Sequence, residues 1–157
     1  MRKLGLVAAA TCALMSSAAI AKTTVIYAGH VITDVAQPAQ GPSTVIVTDD
    51  RITSIAPGRI DAPAGAEIVD LGDKTLLPGL IDLHVHLTGD PGGDYRSEAV
   101  EPDEWGVVVG EKNARITLRA GFTTVREAGS AQYTAFALRR GAAEGLIEGP
   151  RIVAAGP

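Results

Sequence analysis

The stretch Leu76-Leu77-Pro78-Gly79-Leu80-Ile81-Asp82-Leu83-His84-Val85-His86 decides how the rest of this chain is read. An apolar run opens on a Pro-Gly break and closes on two histidines spaced i, i+2. Side chains alternate across a β-strand, so residues two apart share a face. His84 and His86 are therefore expected side by side, with Asp82 on their face and Leu83 and Val85 on the other. Two neutral imidazoles on one strand can grip a single divalent ion.

Upstream of this stretch the pattern is β. Thr24–Tyr27, His30–Ile32 after a bend at Gly29, Thr44–Val47, Arg51–Ile55 and Glu67–Asp70 read as short strands. They are separated by the loop at Gln37–Ser43, the turn at Asp49-Asp50, Pro57-Gly58 and the turn at Gly72-Asp73. This predicts a small antiparallel sheet or half-sandwich.

Downstream the period changes. Thr88–Asp103 is rich in Gly, Pro and charge and reads as a long loop. Glu104–Ala120 reads as a helix whose apolar side carries Trp105, Val108, Val109, Lys112, Ile116 and Leu118, stopped by Gly121. Phe122–Arg126 is a strand, Gln132–Ala143 a second helix, and Arg151–Ala154 a third strand. The order β-loop-α-β-α-β predicts a parallel sheet with right-handed crossovers.

The first residues have another character. Arg2 and Lys3 precede an Ala-rich apolar stretch from Leu4 to Ile20, and Ala19-Ile20-Ala21 offers small residues for a peptidase. This is the layout of a secretory signal spanning 1–21, and it predicts export to the periplasm or beyond with no stable membrane anchor. The single cysteine, Cys12, lies inside that leader, so the processed chain has neither disulfide nor thiol nucleophile. With a net charge of −4 and no basic patch, nucleic acid is not an expected partner.

In this order the motifs resemble the amidohydrolase superfamily, and within it the imidazolonepropionase-like and Xaa-Pro-dipeptidase-like branch. The residues that carry the likeness are Val47–Ile55 (VTDDRITSI), Leu77–His86 (LPGLIDLHVH), Ala120–Gly129 (AGFTTVREAG) and Gly149–Gly156 (GPRIVAAG). The resemblance implies an α/β protein with a small N-terminal β-sandwich portion over 22–77. The first three β/α units of an incomplete (β/α)8 barrel follow over 78–157. It implies a metal-dependent hydrolase of carbon–nitrogen bonds, with Zn2+ or another divalent ion polarising a water and a small amide or dipeptide as substrate. His84 and His86 would be metal ligands. The family's later donors, a lysine, two further histidines and an aspartate, match no residue here. A complete barrel takes about 250 residues, so the resemblance implies the N-terminal part of a longer enzyme, inactive by itself.

Each remaining candidate has two readings. Asp82 is either a partner that fixes a histidine tautomer or a cap on the strand or nearby loop. Glu127, at the carboxyl end of the second strand, is a functional carboxylate or the partner of Arg126 or another arginine. Trp105 and Tyr95 line a substrate pocket or simply pack. His30 reads as a turn or surface residue, and Arg139-Arg140 as a solvated helix face. Two functions stand against each other. One is an exported amidohydrolase, of which this is the N-terminal portion. The other is a non-catalytic, degenerate fragment that binds metal or a partner, self-associating through the open edges of its sheet.

Overall fold

A computed structural model describes residues 21–94, 96 and 99–157. The expected leader falls almost wholly outside them. Among the described residues no helix is long and apolar enough to cross a membrane. The chain divides into two compact units, Met1–Leu76 and Leu77–Pro157.

The first unit is built on a four-stranded sheet in the order β4-β3-β1-β5, from β1 (Thr23–Ala28), β3 (Ser43–Thr48), β4 (Arg51–Pro57) and β5 (Glu67–Asp70). β1, β3 and β4 pair antiparallel, and the β3–β4 turn puts Asp49 at φ 54°, a conformation that Asp tolerates. The sheet departs from the expected antiparallel one at its edge. β5 pairs parallel to β1, with Val25 opposite Ile68. A separate parallel pair joins β2 (His30–Val31) to β6 (Thr75–Leu76). Ala28, Val31 and Val45 form the buried core of this unit, with Ile26, Val47, Leu71 and Leu76 against it.

The second unit is an α/β arrangement of a parallel sheet and helices. β7 (Leu80–Val85), β8 (Phe122–Glu127) and β9 (Arg151–Ala154) form a parallel sheet in the order β7-β8-β9. Among the described residues, helices α1 (Trp105–Arg119) and α2 (Thr134–Ala143) lie between the strands. Helix α1 ends with Ala120 and Gly121 amides returning to Ile116 and Leu118 carbonyls. Gly121 then reverses the chain at φ 101°, where a side chain is disfavoured. Leu87, Ala114, Val125, Leu138 and Ile152 make the core.

The buried face of α1 is not its bulky apolar one. Gly110 and Ala114 are its buried residues, whereas Trp105, Val108 and Ile116 stay half-exposed or more. The reason is proximity: a Cβ on Gly110 would lie 2.9 Å from Leu138 Cδ2, so only small residues fit the seam between α1 and α2. The other face of the sheet is uncovered within this unit. Edge strand β7 leaves Ile81 61% and Leu83 69% exposed.

Candidate metal centre

All three strands run the same way, so their carboxyl ends and the loops that follow gather at one edge of the sheet. β7 carries His84, and His86 follows directly on its last residue. The two rings are neighbours, with centroids 5.3 Å apart and planes at 65°. Two imidazoles bound to one tetrahedral ion at about 2.0–2.1 Å put their ring centres roughly 5 Å apart, so the pair has the spacing of two ligands of one ion. His86 Nδ1 lies 2.9 Å from the Gly129 carbonyl. A carbonyl only accepts, so Nδ1 carries the proton and Nε2 presents its lone pair.

The strand that aims these rings is irregular. Asp82 stands in register with Val125, and Val85 with Glu127, with a slip between them. Three steps on β7 match two on β8, which is a bulge of one extra residue. Regular alternation would have put Asp82 on the histidine face. The bulge instead leaves Asp82 and Val85 both in register with the buried series of β8, Val125 and Glu127. The Asp82 carboxylate turns back onto its own strand and accepts the His84 amide at 3.0 Å. Of the two readings of Asp82, the local cap is the one observed.

Of its two readings, Glu127 does not take the arginine partner. It is fully buried, and no arginine reaches it among the described residues. Its Oε2 accepts the Leu87 amide at 2.5 Å, and its Oε1 lies 3.4 Å from the Gly129 amide and 3.6 Å from His86 Nδ1. Arg126 reaches instead toward the Leu83 carbonyl, at 3.4 Å. Asn113, on α1, was not singled out from the sequence. Its Nδ2 donates to the Leu87 and Gly89 carbonyls at 2.8 and 2.9 Å, so it ties the loop after β7 to the helix. The signal for it was a lone polar residue on the helix face that also carries Gly110 and Ala114, at spacings of three and one.

A cleft of about 410 Å³ opens beside His86, with Thr88, Asp90, Asp103, Trp105 and Gly129 in its wall. Trp105 thus lines a cleft, while Tyr95 lies outside the described residues. Asp90 is neutralised by Lys112 at 2.5 Å. Among the described residues no group of three or more His, Cys, Asp or Glu side chains converges. Among the described residues the site therefore offers two imidazole donors with suitable spacing and no third converging side chain.

The amidohydrolase family model matches residues 75–157, more than half of the chain. This chain belongs to the amidohydrolase family. Among curated amidohydrolase relatives, a dihydroorotase of Mycobacterium leprae is 36% identical over 104 residues, covering 66% of this chain and 23% of the relative. An allantoinase of Streptomyces avermitilis is 51% identical over 51 residues, covering 32% and 11%. Among solved structures, a Xaa-Pro dipeptidase with methionine in its active site superposes with a TM-score of 0.74 at 34% identity, covering 86% of this chain and 33% of that one. The chain thus spans between 11% and 33% of the length of these relatives.

Proposed function

We propose that His84 and His86 are two ligands of a divalent metal site in a hydrolase that cleaves carbon–nitrogen bonds of small cyclic amides or dipeptides. The parallel β/α unit is, on this reading, the opening part of a (β/α)8 barrel, and the first unit a portion of an N-terminal sandwich. The observation that carries it is the state of His86: Nδ1 is committed to the Gly129 carbonyl, and the ring stands 5.3 Å from the His84 ring. Imidazole ligands are oriented in this way, by a hydrogen bond from the nitrogen that does not touch the metal. The names of the relatives, dihydroorotase, allantoinase and Xaa-Pro dipeptidase, support the substrate class.

A metal held there supplies Lewis-acid polarisation and a water whose pKa is lowered toward neutrality. The residues of this chain hold and orient. His84 and His86 supply donors, Asp82 fixes the bulge that aims them, and the cleft beside Trp105 receives the substrate. A catalytic zinc takes three protein ligands and a water, so donors beyond the described residues complete the site, and the chain alone has negligible turnover. The leader over 1–21 belongs to this reading and directs export.

Titration of the purified chain with Zn2+ by calorimetry, or with Co2+ by visible absorption, tests the assignment. One ion per chain is expected, at modest affinity, with binding abolished in both His84→Ala and His86→Ala. Equal binding by all three proteins would sink it. A second reading, a non-catalytic module that binds a partner or itself, is favoured by the exposed Ile81 and Leu83 on the edge strand. Zinc-dependent hydrolysis that disappears in His84→Ala would exclude that reading.

A further inference from the structure

We infer that Glu127 is a positioning residue that fixes the orientation and tautomer of His86. The inference rests on the metal-ligand reading of His86 for its functional meaning, but its structural content stands without metal.

A fully buried carboxylate is costly unless its oxygens are satisfied, so the partners of Glu127 define what it does. Both oxygens are turned to the surroundings of one imidazole. Oε2 accepts the amide of Leu87, the residue that follows His86 in the chain. Oε1 draws in the amide of Gly129, the residue whose carbonyl receives the His86 Nδ1 proton. The carboxylate therefore holds His86 from two sides: through the backbone that carries it, and through the peptide that accepts from its ring. Oε1 itself stands 3.6 Å from Nδ1, too far for a good hydrogen bond but near enough to favour a proton on that nitrogen over one on Nε2. The backbone carbonyl of Glu127 also accepts the Ala155 amide at 3.0 Å, so the same residue links the segments after all three strands.

A glutamine cannot do this. Its one carbonyl oxygen can accept from Leu87 or from Gly129, and its amide nitrogen would set a donor against the other donor. Glu127→Gln is therefore the informative variant: it matches the shape of the side chain and removes one acceptor and the charge.

The test is nitrogen-15 NMR of the imidazoles in the metal-free chain near pH 8, with the His86 signals identified by their loss in His86→Asn. The wild-type chain is expected to show His86 as the Nδ1–H tautomer. Glu127→Gln is expected to show a mixture of tautomers, with unchanged far-UV circular dichroism. Zn2+ affinity is expected to fall about tenfold, the scale typical of lost ligand support. A wild-type His86 protonated on Nε2 would overturn the proposal, whether or not any variant folds. So would a His86 signal in Glu127→Gln identical to that of the wild type. If the tautomer shifts as expected while no chain binds Zn2+, the metal reading fails and the positioning role remains.

Discussion

The two units handle their polar side chains in opposite ways. In the first unit, hydrogen-bonding groups close on the fold itself. The Thr44 hydroxyl donates to the Gly58 carbonyl at 2.7 Å and accepts the Ile60 amide at 3.0 Å, and the Tyr27 hydroxyl donates to the Ile60 carbonyl at 2.8 Å. Arg59 lies 3.7 Å over the Tyr27 ring and pairs with Asp70 at 2.8 Å. These contacts fasten the segment after β4 to the sheet. In the second unit, Asn113 and Glu127 serve the two loops that follow β7 and β8, and Asp82 caps its own strand. All three strands of that unit are parallel, so distant segments meet at one edge, where their orphan groups are tied by side chains.

The sharpest way to break this contrast is to damage the packing beneath the site. Leu138 is 1% exposed at the seam of α1, α2 and the sheet. Leu138→Ala is expected to cost about 3 kcal/mol of unfolding free energy, read by urea titration, and to weaken metal binding because the site edge loosens. Gly79→Ala comes next. A Cβ there would fall within the Thr123 side chain at the entry to β7, and overpacking of this kind costs about 1–3 kcal/mol. A Gly79→Ala chain as stable as wild type would show that the strand entry is slack.

Thr44→Val sharpens the comparison from the other side. It removes a donor and an acceptor in the first unit and is expected to cost about 1–2 kcal/mol with Zn2+ affinity unchanged. A loss of Zn2+ affinity equal to that of Glu127→Gln would erase the distinction between the units. The smallest effect concerns acid. The Arg59 hydrogen bond, aided by the Gly72 amide, holds the Asp70 carboxyl below its ordinary range. A carboxyl depressed in the folded state stabilises at pH values above its unfolded pKa, and that contribution is lost as pH falls through the folded one. Asp70→Asn is therefore expected to be slightly less stable than wild type at pH 7, with the gap closing below about pH 4. The pair is exposed, so added salt should shrink the difference.

Much of the architecture was legible because periodicity carries it. The strand at Arg151–Ala154 and the helix from Trp105 fall where alternation and helical spacing put them. The parallel order followed from the β/α rhythm. Two kinds of information were hidden. Pairing partners of short edge strands are decided by tertiary contact, so β6 and the parallel β1–β5 edge left no local mark. Burial within α1 was misread because bulk was taken for the packed face, while the close approach of Leu138 selects Gly110 and Ala114. At the site, the adjacency of the two histidines was readable from spacing. The bulge was not, because it follows from a register slip against β8. Nor was the role of Glu127, because its partners are backbone amides that no side-chain pattern announces.

The extra residue between Asp82 and Val85 makes the segment a poor donor for transplantation. Copied onto a perfectly pleated host strand, LIDLHVH would carry Asp82 around to the imidazole side and leave the His84 amide without its carboxylate acceptor. Removing Leu83 from the native chain would set two steps on β7 against two on β8, so Asp82 and Val85 would keep their places opposite Val125 and Glu127 while the slip itself disappeared. What travels with the histidines is therefore the slip as well as the spelling.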